Sequence, residues 1–430
     1  MTGRVLIIAY ILVVWFVISF VTNLIGPLMP TMIGDFHLSL ALAGFLPFSF
    51  FLAYGLISIP AGALVEMRGP RVTLLVAFAL NLSGSLAIAL LPSYLMVVGG
   101  LFVIGLGMAM LQVVINPLMR TAGGDGHFAF FSVMGQLIFG IASFISPLVF
   151  SALMERPGAA GQRLVWVVFY WAFALVFVAL IAGTQWLTIP RVDLAESERA
   201  GGLGTYRTLI ADRYVKLFFL GIVAYVGTEQ SLANWMSQFL GTYHHFAPTR
   251  EGASAVGRFW GLMSIGCLLG LVLLKLLDAK IVLAAFTVLA FVCVSLALFG
   301  PAHVALLAFP ASGFFLSVMF SIIFSLALNS VRQHHGALSG ILCTGILGGA
   351  IVPLLVGMLG DHVGLRMAMT TVFATLAFIL SIAWWSNPLV RNDTVSVAEL
   401  IGLRTRRDAN DKQNNAGFPL GRKTGSDPSE

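Results

Sequence analysis

The chain has 430 residues, of which 59% are apolar and only 10% are charged, and its mean hydropathy is +0.96. A water-soluble protein carries about 25% charged residues because its surface must meet water. This composition therefore excludes a soluble globular domain and makes lipid the solvent for most of the chain. The net charge of +6 is spread through short loops, with no basic stripe interleaved with aromatics, so a nucleic-acid partner is not expected.

Met1-Thr2-Gly3-Arg4 leads into an apolar run that continues to about Pro30. That run is too long for the core of a signal peptide and no small-residue cleavage site follows it, so it reads as a retained first span. Stretches able to cross the hydrocarbon core lie near 5–30, 40–64, 72–91, 94–119, 130–154 and 165–187. A second set lies near 214–240, 254–275, 280–299, 302–328, 338–359 and 366–386. The expected organisation is a six-helix half over 1–187, a polar connector over 188–213, a second six-helix half over 214–386 and a polar tail over 387–430. The tail lacks apolar periodicity and is expected to be largely disordered apart from a short helix near 395–403.

Orientation follows from the basic residues. With the N-terminus cytoplasmic, nineteen of the 24 Lys and Arg fall on the cytoplasmic side, and only Arg156, Arg163, Arg250, Arg258 and Arg366 lie opposite. The positive-inside rule then places both termini in the cytoplasm of a cell whose inner (plasma) membrane holds the protein. Cys267, Cys293 and Cys343 all sit in apolar stretches without metal-ligand or disulfide spacing, so no metal, cofactor or disulfide is expected. HExxH, GxSxG and paired intramembrane acids are missing from the sequence, which argues against an enzyme.

A charge at mid-bilayer costs roughly 2.5–3.5 kcal/mol on insertion scales, so membrane acids are informative. Of eighteen Asp and Glu, only Glu229 falls inside a span, in Tyr225-Val226-Gly227-Thr228-Glu229-Gln230-Ser231-Leu232-Ala233-Asn234-Trp235. With no Lys or Arg at mid-membrane depth to neutralise it, Glu229 is either a neutral acid bonded to a neighbouring helix or a group for substrate binding or ion coupling. Gln230, Asn234 and Gln238 follow at helical spacing and form a polar stripe. Trp235 beside them either stacks on a sugar ring or serves as ordinary packing. In the first half, Gln112 and Asn116 share a face one turn apart before Pro117, Asn23 lies four residues before Pro27, and Gln136 sits in the fifth span. Each amide can be an interhelical hydrogen bond. As a group, with donors and acceptors but no charge, they suit a neutral polyol such as a sugar.

Six spans, a connector and six spans is the layout of the major facilitator fold, and small-residue runs ending in Pro147 and Pro353 at equivalent places echo an internal duplication. More specific segments are Phe50-Phe51-Leu52-Ala53-Tyr54-Gly55 with Ser58-Ile59-Pro60-Ala61-Gly62, Gln112-Val113-Val114-Ile115-Asn116-Pro117, and Met319 through Leu328. Gly345-Ile346-Leu347-Gly348-Gly349-Ala350-Ile351-Val352-Pro353 and Tyr225-Val226-Gly227-Thr228-Glu229 complete the set. Together they resemble the fucose–galactose–glucose:proton symporter family of the major facilitator superfamily. The resemblance implies an all-α membrane protein of twelve transmembrane helices in two halves, a monomer embedded in the lipid bilayer, that carries a hexose by alternating access. It also implies departures. The family's acids in the first and fourth spans are Asn23 and Gln112 here, and amides cannot titrate. Glu229 is then the one membrane group left to carry a proton, and uniport or coupling to another ion such as sodium stays open. Glu66, Gly69 and Arg71 match, in altered form, the superfamily's charge clasp after the second span. The rival expectations are export of a drug or metabolite by the same fold and a membrane protein that transports nothing.

Overall fold

A computed structural model describes residues 2–123, 128–156, 164–190, 203–331 and 335–387, which form helices and the turns between them, with no strand among the described residues. Hydrocarbon offers a backbone no hydrogen-bond partner, so every crossing segment must satisfy its own N–H and C=O groups within a helix. The first half contains α1 (Thr2–Thr22), α2 (Ile25–Phe36), α3 (Leu40–Arg68), α4 (Pro70–Leu90), α5 (Tyr94–Gly123), α6 (Phe128–Met154) and α7 (Val167–Trp186). A short helix, α8 (Leu203–Ala211), lies within the expected connector. The second half begins with α9 (Arg213–His244), a π-helical turn at Pro248–Gly252 and α10 (Ala253–Leu276). It continues as α11 (Ala279–Phe299), α12 (Ala302–Leu316), α13 (Met319–Leu328), α14 (His335–Thr344), α15 (Gly348–Val363), α16 (Leu365–Ala368) and α17 (Thr371–Trp385). The expected tail helix near 395–403 and connector residues 191–202 lie outside the described residues.

Eleven of the described spans are long and apolar enough to cross a membrane. The remaining expected span is α9, which at 32 residues is ample in length but too polar to qualify by composition. The first span does not stop near Pro30. It runs Val5–Phe36 and ends at His37, whose left-handed φ of 52° and N–H to Ile33 O close the helix. Proline interrupts a membrane helix locally without ending it when neighbouring helices supply the missing contacts, which is why the Pro27 and Pro30 pair misplaces the boundary. The tenth span is likewise two helices, α12 and α13, and the eleventh is α14, a 3-10 turn at Gly345–Leu347 and α15.

Each half builds its own core. One cluster gathers Phe50, Phe78, Phe150, Trp166 and Phe177, and the other gathers Phe218, Trp235, Phe239, Phe259 and Phe309. Few residues cross over: Met29 and Ala43 enter the second-half core, while Ala253 and Ala350 enter the first. The end of the bundle that carries Thr2, the α3–α4 turn and α8 is termed proximal, and the end that carries Phe36 and Leu40 distal.

The halves meet through glycines. A Cβ on Gly26 of α2 would lie 2.6 Å from Ala233 O of α9, and one on Gly357 of α15 would lie 2.4 Å from Leu40 O of α3. On the other flank, Gly257 of α10 abuts Phe144 O of α6 at 3.2 Å. Backbones this close leave no room for side chains to interdigitate, so the halves touch along smooth seams. Two polar contacts cross the distal seam: Arg250 Nε of the π-helical turn lies 3.7 Å from Glu155 Oε1 just past α6, both exposed, and a clamp joins α15 to α3. Asp361 at the end of α15 accepts from Leu40 N at 2.8 Å through Oδ1 and from Ala41 N at 2.9 Å through Oδ2. Ser39, the N-cap of α3, takes Leu42 N at 3.2 Å. Two of the orphan donors of this helix start are thus satisfied by the opposite half.

Opening the distal end must break both Asp361 bonds. The clamp is exposed, and a carboxylate at an exposed helix N-terminus contributes about 0.3–1 kcal/mol. An Asp361→Ala protein is therefore expected to shift the closed-to-open ratio at the distal end by roughly twofold to fivefold. Distance distributions between spin labels at the exposed distal positions Leu91 and His303 measure this shift, and an unchanged distribution refutes the clamp.

Candidate functional site

The polar surface is set by α9. Asp212 fixes the helix start by accepting from Tyr214 N at 2.7 Å and Val215 N at 3.1 Å. From there the helix runs unbroken, so Gln230, Asn234 and Gln238 fall in one stripe. Gln230 and Asn234 are buried, and Asn234 Nδ2 donates to Gln230 O at 2.8 Å. Gln238, nearer the distal end, donates to Thr242 Oγ1 at 3.2 Å. Glu229 projects from the adjoining face, where the Tyr225 hydroxyl donates to its Oε1 at 3.1 Å and Cys267 of α10 lies within its electrostatic reach.

The first half answers with a helix break. Pro27 has no N–H to offer Asn23 O, so the chain loosens at Asn23–Leu24 between α1 and α2. The side chain of Asn23 is buried there. Its Nδ2 donates to Ser19 O at 2.9 Å and to Ser143 Oγ of α6 at 2.9 Å, and Ser19 Oγ bonds Ser143 Oγ at 2.7 Å. The interhelical hydrogen bond expected as one reading of Asn23 is therefore present. Gln136, two turns before Ser143 on α6, is exposed, and Gln112 on α5 is half-buried. Asn116 lies on α5, but its side chain is outside the described residues.

Close backbone approach joins these groups across the halves. The Cβ that Gly26 lacks would lie 3.4 Å from Asn234 Cα, so the break at Asn23 opens beside the amide stripe. A Cβ on Gly349 of α15 would meet both Gln230 Cγ and Phe51 Cγ at 3.0 Å, which places Gln230 where α3, α9 and α15 converge. Glu229 adjoins them: its side chain bonds the Tyr225 hydroxyl and the neighbouring Gln230 side chain, and the Tyr225 ring lies 5.9 Å from that of Phe320 on α13. Trp235 is fully buried, and its indole N–H donates to Pro353 O at 3.0 Å. With its ring enclosed between α9 and α15, stacking on a sugar would require this seam to open.

The residues expected to form a clasp lie around the α3–α4 turn. Gly69, at φ 82°, makes the sharp α3–α4 reversal ahead of Pro70. Arg71 Nη2 donates to Gln185 O at 2.8 Å, within its own half. Burial, and then the charge of nearby Glu66, raise the Tyr206 phenol on α8 above its ordinary pKa. A Cβ on Gly340 of α14 would lie 3.5 Å from the Tyr206 hydroxyl. Glu66 therefore faces the linker helix, which itself rests on the second half.

Sequence reasoning missed Ser19, Ser143, Tyr225 and Asp361. Serines in membrane helices usually bond back to their own turn, so nothing marks Ser19 and Ser143 as an interhelical pair. Tyr225 was readable, because it precedes Glu229 by one helical turn.

Comparison with known proteins follows the same lines. Residues 11–346 match the Major Facilitator Superfamily. The chain is 31% identical over 380 residues to a glucose/galactose transporter of Brucella abortus, covering 85% of this chain and 90% of that one. It is 23% identical over 380 residues to the L-fucose-proton symporter of Escherichia coli, covering 81% and 86% respectively. A bacterial homologue of the human lysosomal transporter Spinster, solved in an inward-facing unoccupied conformation, shares the fold with a TM-score of 0.74 at 15% identity, covering 89% of this chain and 97% of that one. With its membrane-spanning helices and this breadth of match, the chain is an integral membrane protein and not an enzyme, and it belongs to the major facilitator superfamily.

Proposed function

We propose that the chain carries a neutral hexose across the inner membrane by alternating access, its halves rocking about Asn23, Gln112, Asn116, Gln136, Glu229, Gln230 and Asn234. The observation that carries this reading is the makeup of the polar surface: amides and hydroxyls on α1, α6 and α9 with one carboxylate beside them. Amides donate and accept without charge, which suits sugar hydroxyls, whereas an anionic solute calls for a cation inside the spans. The names of the relatives, glucose/galactose transporter and L-fucose-proton symporter, fit this substrate class. In the same reading both termini are cytoplasmic, because nineteen of the 24 Lys and Arg fall on that side. One chain encloses the site between its own halves and acts as a monomer. Glu229 exchanges the proton. Uniport is the second reading, favoured by the amides Asn23 and Gln112 where the resembling family has acids.

Counterflow in proteoliposomes tests the proposal. Labelled D-glucose, D-galactose and L-fucose are expected to exchange, with mannitol and uridine as controls, and an imposed proton gradient is expected to drive accumulation where a sodium gradient does not. Exchange of no hexose defeats the substrate assignment. Exchange without accumulation on any gradient selects uniport.

A further inference from the structure

Away from the centre, α11 packs against α17. The rings of Phe291 and Phe373 lie 4.5 Å apart between centroids, and at the proximal end Lys280 Nζ donates to Ser386 O at 2.8 Å. Beside the second contact the helices enclose a groove of about 960 Å³ on the outer flank of the bundle. Ala284, Ala285 and Ala383 line it, and their short side chains leave the width of an acyl chain between two helices. The proximal end of the groove is polar. Lys280 has used one of its three donors, and Asp278 has used Oδ1 to cap Lys280 N at 2.8 Å. Ser386, fully buried and also lining the groove, has a hydroxyl with no hydrogen-bond partner. Trp384, 71% exposed at the rim, is the residue type that settles at the water–lipid boundary.

We propose that this groove is a binding site for one phospholipid with an ethanolamine headgroup. The acyl chain lies over the three alanines, the phosphate accepts from Lys280 and the Ser386 hydroxyl, and the primary ammonium donates to Asp278. Charge complementarity selects this headgroup. One cation and one carboxylate match a phosphate and an ammonium on the same molecule. An anionic glycerol headgroup would set its negative charge against Asp278 with no ammonium to offset it. A choline headgroup brings the positive charge but no N–H to donate. This site is independent of what the central cavity carries.

Native mass spectrometry of the full chain, with equal amounts of phosphatidylethanolamine, phosphatidylglycerol and phosphatidylcholine, tests the assignment. The unmodified protein is expected to retain one phosphatidylethanolamine at least fivefold over either competitor. Asp278→Asn keeps an N-cap acceptor and is expected to erase the preference for the amine headgroup over choline. Lys280→Gln is expected to lower retention of all three lipids. Because Lys280 also ties α11 to α17, Ala285→Trp serves as a second route: it fills the groove from an exposed position and is expected to abolish retention with the helix tie intact. Equal retention of the three lipids, an amine preference that survives Asp278→Asn, or retention unchanged by Ala285→Trp each overturns the proposal.

Discussion

A Gly26→Leu protein is expected to fold, reach the membrane and bind substrate, yet to transport at least a hundredfold more slowly than the native chain. The reason is local. A Cβ at Gly26 would stand 2.6 Å from Ala233 O and 3.3 Å from Ala233 C, and a backbone carbonyl in the middle of α9 cannot step aside as a flexible side chain can. Only separation of α2 from α9 makes room, and that separation is the opening of the distal end. The cores of the two halves are largely separate clusters, so each survives the displacement. Spin labels at Leu91 and His303 are expected to report a single, longer distance in place of the closed one. Gly34 supplies the control, because it lies on the same helix with nothing within 4 Å of its missing Cβ; Gly34→Leu is expected to leave transport within about twofold. Native transport rates in the Gly26 variant would show that distal closure at α2 and α9 is no part of the cycle.

Glu229→Gln is the second substitution with a large expected effect, and it separates carriage from coupling. Glutamine keeps an oxygen to accept from the Tyr225 hydroxyl, now 3.1 Å from Oε1, so the helix and its neighbours are undisturbed. What it lacks is a proton to take up and release. Counterflow of sugar is expected to persist within a few-fold, while accumulation driven by a proton gradient falls to simple equilibration. The direction with pH follows. An acid that loads from the more acidic side makes native uptake rise as the medium is acidified, and the variant's profile is expected to be flat. Full accumulation with the native pH profile would remove Glu229 from the coupling step. It would leave the amides as the whole of the polar site.

How much of this the sequence declared depends on the kind of interaction. Spans are legible because apolar length is a local property, and the eleven spans counted by composition fall where hydropathy puts them. Asn23 drew attention through its spacing to Pro27, and the helix breaks at Asn23–Leu24. The break between α12 and α13 has no such marker. It occurs where Gly266 of α10 brings its backbone against Phe314 O and Ser317 Oγ, and where the Cys267 thiol donates to Ser317 O at 3.3 Å. A contact between distant segments made that interruption, and one chain segment read alone carries no trace of it. Asp361 failed for a related reason. At the end of a span it reads as an ordinary loop acid, and only the fold places the start of α3 against it. The helix α8 was missed because nine residues in a polar connector show too little periodicity to stand out. Trp235 left two readings open, and its bond to Pro353 O puts the enclosed ring on the packing side in this conformation.

The polarity of α9 also bears on how the protein is made. Spans enter the bilayer in order of synthesis, and an insertion site weighs each for its own preference for lipid. Eleven segments here qualify unaided, but α9, with Glu229, Gln230, Asn234 and Gln238 along its length, does not. Its polar groups are covered by α2, made some two hundred residues earlier, and by α15, made more than a hundred residues later. The seventh segment must therefore be received by a first half already assembled, with the Gly26 surface ready against it. It becomes fully at home in lipid only when the eleventh arrives. The stripe that readies this protein for a polar cargo makes its own biogenesis depend on the order in which its pieces are born.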